Sequence, residues 1–295
     1  MRGKIRKAIA GFFYVDVGES GIYKCRARGI FRKDGVKPLT GDDAEIEITH
    51  EGDREGNVTF LYERKNMLLR PPVANVDQAL ILFAMRTPDP ALLLLDRFLI
   101  AAGKERIPCV ICFNKADLAA GTDMDRIRSE YRDCGAPVHF ISIKERDGVD
   151  EVREILRGKT TVLAGPSGAG KSSLTNAVQT GTVMETGEIS KKLARGKNTT
   201  RHCELIYVEE DTWLCDTPGF TALDTFGIEK EQLDSFYPEF EPYRDGCYFQ
   251  GCAHIHEPDC RVKSAVADGR VSRVRYENYA AIYEDLKEQE RRKYR

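Results

Sequence analysis

The segment Gly165-Pro166-Ser167-Gly168-Ala169-Gly170-Lys171-Ser172 constrains this chain more than any other. An apolar run precedes it and a helix-forming run beginning near Ser173 follows. That is the strand–loop–helix context in which a glycine-rich loop cradles phosphate. The glycines let backbone N–H groups curl around phosphate oxygens, and the helix N-terminus adds positive potential. Lys171 is placed to reach the β- and γ-phosphates, and Ser172 to ligate Mg²⁺. The chain must therefore contain an α/β layer with a phosphate site.

Three further segments specify the nucleotide. Asp216-Thr217-Pro218-Gly219 ends an apolar strand 45 residues after Lys171. Asp216 is the expected Mg²⁺ carboxylate and the Gly219 N–H the expected γ-phosphate sensor. Asn114-Lys115-Ala116-Asp117 ends another apolar strand. The Asp117 carboxylate can accept from the guanine N1–H and 2-amino group, an arrangement adenine cannot offer. An unpaired buried acceptor costs about 1–3 kcal/mol, so adenine is disfavoured. Asn114 braces that loop, and the Lys115 stem covers the base. Ser142-Ile143-Lys144 matches the S-A-K base-binding loop except at Ile143, where the backbone N–H still serves. In Gly196-Lys197-Asn198-Thr199-Thr200-Arg201, Thr199 or Thr200 is expected to complete Mg²⁺ coordination. A P-loop kinase or ATPase would not need the Asn-Lys-Ala-Asp loop.

The order of these motifs is unusual. The base-reading loops at 114 and 142 come before the P-loop at 165 and the Asp-Thr-Pro-Gly loop at 216. Rejoining termini need not alter a pocket if the spatial strand order is kept. The permutation does send the γ-phosphate sensor directly into the C-terminal segment.

Around this layer the texture differs. Residues 1–66 read as five short strands separated by Gly-, Asp- and Asn-rich turns. This suits a small closed barrel of the OB-fold kind, with an SH3-like barrel as the rival. Residues 67–226 alternate strands and helices. Residues 227–295 read as helical around Cys247-x4-Cys252-x-His254-x5-Cys260. Three thiolates and one imidazole supply a closed tetrahedral Zn²⁺ site of structural type, with His256 as a rival ligand. The fold class is thus multidomain: an N-terminal β-barrel, a permuted α/β P-loop GTPase domain and a mainly α zinc-binding domain.

Charge excludes little globally, since the net value is −2. Locally, residues 1–37 hold ten Lys/Arg against three Asp/Glu, and residues 38–66 reverse this with three against eight. Tyr23, Arg26, Arg28, Phe31, Arg32 and Lys33 combine cations with aromatics, a set suited to phosphate contact and base stacking or to a charged face over an aromatic core. No secretory signal and no apolar run near 18 residues is visible, so a cytoplasmic chain with reduced thiols is expected.

Together these residues resemble the RsgA (YjeQ) family of circularly permuted ribosome-assembly GTPases, along the whole chain. The resemblance implies an OB-fold at 1–66 and binding of the small ribosomal subunit and its 16S rRNA. It also implies GTP hydrolysis to GDP and phosphate, stimulated by that particle, with a monomer sufficing and no membrane involved. Action on the large subunit, or an RNA-binding nucleotide switch with negligible hydrolysis, are the alternatives. The family commonly carries His immediately before the Thr-Thr pair, where this chain has Asn198; His202 follows the pair. Phe220 stands where many GTPases carry a water-orienting Gln, so slow intrinsic turnover is expected.

Overall fold

The computed structural model describes residues 1–29, 31, 35–69, 72–179, 203–216 and 227–293, with the side chains of 69, 216 and 293 excepted. Asn198, Thr199, Thr200, His202, Gly219 and Phe220, like Arg32 and Lys33, lie outside the described residues.

In chain order the elements begin with β1 (Arg2–Ile9), β2 (Phe12–Asp16), β3 (Ile22–Ala27), β4 (Asp43–His50) and β5 (Glu55–Leu61). A hairpin follows, β6 (Met67–Leu69) and β7 (Pro72–Ala74). Then come β8 (Gln78–Ala84), α1 (Leu92–Lys104), β9 (Cys109–Asn114), α2 (Gly121–Glu130), β10 (Val138–Phe140), α3 (Val149–Leu156), β11 (Thr160–Ala164) and α4 (Lys171–Val178). The strands β12 (Glu204–Glu209) and β13 (Thr212–Asp216) precede a helical remainder. That remainder holds 3₁₀ turns at Lys230–Phe236 and Pro238–Phe240, then α5 (Glu241–Arg244), α6 (Arg261–Ala267) and α7 (Arg273–Lys293). The chain forms two compact units. One comprises residues 1–78, 150–164 and 171–221; the other comprises 79–149, 165–170 and 222–295.

In the first unit the five N-terminal strands run β1–β2–β3–β5–β4 and close through β1–β4 pairing. β3 and β5 are parallel and the other pairs antiparallel. This is the connectivity of a closed OB-fold barrel. Period-2 alternation sets its interior: Phe13 and Val15 of β2, Tyr23 and Cys25 of β3, and Ala44 and Ile46 of β4 point into one core with Ile5, Phe31 and Val58. Tyr23 and Phe31 are therefore not available for base stacking; their rings complete a core that a barrel of short strands needs. The exposed Arg26 guanidinium instead lies 4.9 Å over the Phe12 ring, and the Lys24 ammonium 4.4 Å from it.

The barrel is continuous with part of the α/β layer. β1 pairs antiparallel with β12, β12 with β13, and β13 in parallel with β11. Cys203 and Cys215, expected as reduced thiols, are joined as a disulfide. The β12–β13 register makes them diagonal neighbours on one face, with Cα atoms 6.6 Å apart. That lies within the reach of a disulfide, roughly 4.4–6.8 Å.

The second unit has the parallel strands β8, β9 and β10. All seven residues of β8 are buried, and Ala79–Ala84 form an unbroken apolar run, as a strand covered on both faces requires. The C-terminal segment shares a core with α1: Ile100 and Leu93 pack with Leu233, Tyr237, Phe240, Val262, Tyr279 and Ile282. A buried ion network joins the same parts. Arg275 meets Asp96 of α1 at 2.6 Å and Glu239 at 2.7 Å, and Tyr131 and Asn278 donate to Asp96 at 2.8 and 2.9 Å. Burial raises the Asp96 carboxyl above its usual range, with Arg275 acting against the rise. Among the described residues, no helix is long and apolar enough to cross a membrane.

Candidate functional site

The residues expected to read the base sit at the C-terminal ends of parallel strands, where ligands bind in open α/β sheets. Asn114 closes β9 and is buried. Its amide Nδ2 donates to the Ala169 carbonyl at 2.9 Å, and its Oδ1 accepts from the Ile143 N–H at 3.2 Å. One side chain thus ties the Asn-Lys-Ala-Asp loop to the P-loop and to the Ser-Ile-Lys loop. The bond to position 143 uses only the backbone, which is why Ile is accommodated there.

The chain then turns sharply. Lys115 adopts φ +62°, and a 3₁₀ turn follows over Ala116–Leu118. The Ala116 N–H bonds the Ile141 carbonyl at 3.0 Å, which fastens the turn to the strand end. Lys115 Nζ donates to the carbonyl of Thr87. Ser142 Oγ donates to Asp117 Oδ1 at 2.7 Å and accepts from the Glu145 N–H at 3.2 Å. Lys144 Nζ lies 4.0 Å from Asp117 Oδ2. Asp117 is thereby aimed by Ser142 while retaining acceptor capacity for a base.

Residues 165–170 belong to the same unit. Gly165 has φ +138° and would press a Cβ into the Leu82 carbonyl. Gly170 has φ +101°, and a Cβ there would strike the Asn114 amide. The chain needs glycine at both points, once to leave the strand and once to admit the brace. Ser167 and Gly168 are exposed between Pro166 and the buried Ala169. Lys171, Ser172 and Ser173 form the first turn of α4, where helix N–H groups lack intrahelical partners. Asp216 ends β13, opposite Leu163 of β11 on one side and Glu204 of β12 on the other.

A second cluster lies in the C-terminal segment. The ligand atoms of Cys247, Cys252, His254 and Cys260 all lie within 4.8 Å of one another. His254 Nδ1 is 3.3 Å from Cys260 Sγ and 3.6 Å from Cys247 Sγ. Positive φ at Gly251 and His254 folds the loop back on itself. The donor set, three thiols and one imidazole nitrogen converging in a half-buried pocket, fits a tetrahedral metal ion of zinc type. Buried His254 Nε2 points away, 3.8 Å from Asp234. A carboxylate in that place suits the orienting of a ligating imidazole. His256 is exposed and faces Glu284, so it is not part of the cluster.

Sequence reasoning missed the supports of both sites. Glu257 accepts from the N–H groups of Ala253, Ile255 and His256 at 2.9–3.1 Å and shapes the cysteine loop. Its position between two ligands was a usable signal. Asp234 and the Thr87 carbonyl carry no local signal, since each meets its partner across 20 or more residues of chain.

These arrangements define a P-loop GTPase whose nucleotide motifs run in circularly permuted order. A family model described as RsgA GTPase matches residues 61–226, and one described as RsgA N-terminal domain matches residues 2–57. The chain belongs to the RsgA GTPase family. A protein of Agathobacter rectalis named small ribosomal subunit biogenesis GTPase RsgA is 48% identical over 301 residues, covering 99% of this chain and 100% of that one. A namesake from Alkaliphilus metalliredigens is 43% identical over 290 residues, covering 98% and 99%. Among solved structures, YloQ, a circularly permuted GTPase, matches with TM-score 0.78 and 37% identity over 98% of this chain and 95% of its own. YjeQ from Thermotoga maritima matches with TM-score 0.80 and 33% identity over 97% and 98%.

Proposed function

We propose that this chain hydrolyses GTP to GDP and phosphate in the service of small-ribosomal-subunit biogenesis, in the cytoplasm and as a monomer. The names of the relatives supply the ribosomal role. The observation that supports the nucleotide chemistry is the pair of hydrogen bonds made by Asn114, which links three motifs separated in sequence.

In this reading Asp117 selects guanine, held by Ser142 in the orientation that meets N1–H and the 2-amino group. Asn114, Ile143 and Lys144 frame the base, and the Lys115 stem covers it. Backbone N–H groups of residues 165–170, with those opening α4 at Lys171, Ser172 and Ser173, enclose the phosphates. Lys171 neutralises charge as water attacks the γ-phosphorus in line. Ser172 and Asp216 would hold Mg²⁺, with Thr199 or Thr200 completing its shell; the bound ion supplies further charge neutralisation. Phe220 cannot orient water, so turnover is slow until the ribosomal particle completes the geometry.

The remaining chain serves docking. Residues 1–66 act as the RNA-binding barrel, 67–226 as the GTPase domain and 227–295 as the zinc domain. Arg26, Lys24 and Arg28 lie on the barrel's outer surface and are suited to 16S rRNA phosphates. Zn²⁺ at Cys247, Cys252, His254 and Cys260 is structural, since four protein ligands leave no open position.

The test combines co-sedimentation with turnover. Purified small and large subunits are mixed with the chain and GDP, GTP or a non-hydrolysable analogue. The expected result is retention on the small subunit, favoured by the analogue, and GTP turnover raised only by that particle. Turnover by the isolated chain equal to the stimulated rate, or retention on the large subunit, would sink the proposal.

A further inference from the structure

One row of cross-strand partners crosses the first unit from the barrel's far side to the P-loop strand. Glu55 pairs with Lys24, Lys24 with Tyr14, and Tyr14 with Lys7. Lys7 pairs with Glu204, Glu204 with Asp216, and Asp216 with Leu163, two residues before Gly165. Glu204 is the joint of this row. It is the β12 residue that pairs with the barrel, and its other edge faces the backbone of the expected magnesium carboxylate.

The side chains strengthen the same point. Lys7 Nζ meets Glu204 Oε2 at 2.7 Å. Arg6 Nε donates to the Leu205 carbonyl at 3.2 Å, and its guanidinium lies 5.5 Å over the Trp213 ring. Thr40 Oγ1 donates to the Cys203 carbonyl at 3.2 Å. Three consecutive residues, Cys203, Glu204 and Leu205, thus each carry a barrel contact. They lie at the end of β12 that faces Cys215 and Asp216, whereas the far end bonds elsewhere: Tyr207 with Gln179 and Glu209 with Arg157. Arg6 also reaches the ring of Trp213, which pairs with Tyr207, so it is the hydrogen bonds and the ion pair that gather at the Asp216 end.

We infer that Arg6, Lys7 and Thr40 are positioning residues that couple the barrel to the nucleotide site through Glu204. β1 and β13 both pair with β12 at Glu204, so this residue is the path by which a change in the seat of β1 would reach the backbone at Asp216. Coupling of this kind is reciprocal: nucleotide state changes barrel affinity by the same factor as barrel occupancy changes nucleotide affinity. The inference rests on the proposed small-subunit reading, with the barrel as the docking surface.

The test measures small-subunit affinity of the full chain with GDP and with a non-hydrolysable GTP analogue. The wild-type ratio is expected within the usual coupling range of about 5–150-fold. Lys7→Glu is expected to bring the ratio close to unity while GDP-state affinity and intrinsic turnover hold. Lys7→Glu with Glu204→Lys restores the ratio. Thr40→Val, which removes only the hydroxyl, lowers it without repacking and serves if the charge variant fails to fold. An unchanged ratio in Lys7→Glu and Thr40→Val, equal weakening with both nucleotides, or failure of the swap to restore would overturn the inference alone. A wild-type chain that ignores the small subunit would overturn the functional reading and this inference together.

Discussion

The Ser142 hydroxyl donates to the Asp117 carboxylate at 2.7 Å, although 25 residues separate the two in sequence. The bond restricts the Asp117 carboxylate, so if it reads the base as proposed, less rotamer freedom is lost on binding.

Guanine recognition should therefore depend on both partners. Asp117→Asn replaces an acceptor by a donor and should weaken GTP by about 1–3 kcal/mol, or roughly 5- to 150-fold. Xanthosine triphosphate, whose C2 carbonyl accepts where guanine donates, should gain. Ser142→Ala should cost less, about 1 kcal/mol. Competition against a fluorescent GDP measures all three, and wild-type GTP affinity in Asp117→Asn would refute the assignment.

Metal content separates the two histidines of the cysteine loop. His254→Ala or Cys260→Ser should lose about one equivalent of zinc and lower the melting temperature, because structural zinc contributes directly to folding. His256→Ala should retain both. Atomic absorption and a thermal melt decide, and zinc loss in His256→Ala would move the ligand assignment.

Glu257 provides a pH signature. Burial works against its charge, but backbone N–H groups of the loop prevail and hold its carboxyl below the usual value of 4.5. The folded-state value is depressed, so the unfolded chain binds the proton more readily. The stability Glu257 contributes is thus fully present above about pH 4.5 and lost as pH falls through the folded value. Glu257→Gln should cost about 1 kcal/mol at neutral pH, given its partial exposure. The difference from wild type should shrink in denaturant titrations below pH 4.5, and a difference constant from pH 7 to pH 3 would contradict the account.

Arg275 is buried between two carboxylates. Arg275→Met leaves Asp96 and Glu239 without their cation and should cost about 3–5 kcal/mol. Replacing Arg275, Asp96 and Glu239 together by apolar residues of similar volume should cost far less, because no orphan charge remains. Equal losses in the single and triple variants would show that packing, and not charge, sets the penalty.

Much of this was legible in the sequence because the signals are local. The P-loop, the Asn-Lys-Ala-Asp loop and the cysteine spacing each place their chemistry within a few residues, and β8, β9 and β11 announce themselves as apolar runs. β1 was not singled out, since Arg2, Lys4, Arg6 and Lys7 mask its alternation and only Ile5 is fully buried. Its partnership with β12 joins residues 197 positions apart, and nothing local encodes it. Tyr23 and Phe31 read equally as stacking platforms or as core, and barrel closure decided for core. The Cys203–Cys215 link likewise depends on a register that spacing alone does not reveal.

The shared core of α1 with the C-terminal segment has a consequence for descent. Leu93, Ile100 and Asp96 belong to a helix laid down before the P-loop, yet they complete the hydrophobic and ionic interior around Tyr279 and Arg275. A gene fragment encoding only residues 227–295 would carry most of that interior but lack Leu93, Ile100 and the Asp96 carboxylate that Arg275 meets. Moving the cysteine loop between lineages without a matching α1 would leave Arg275 without Asp96, so hybrid genes that split the two segments should be selected against.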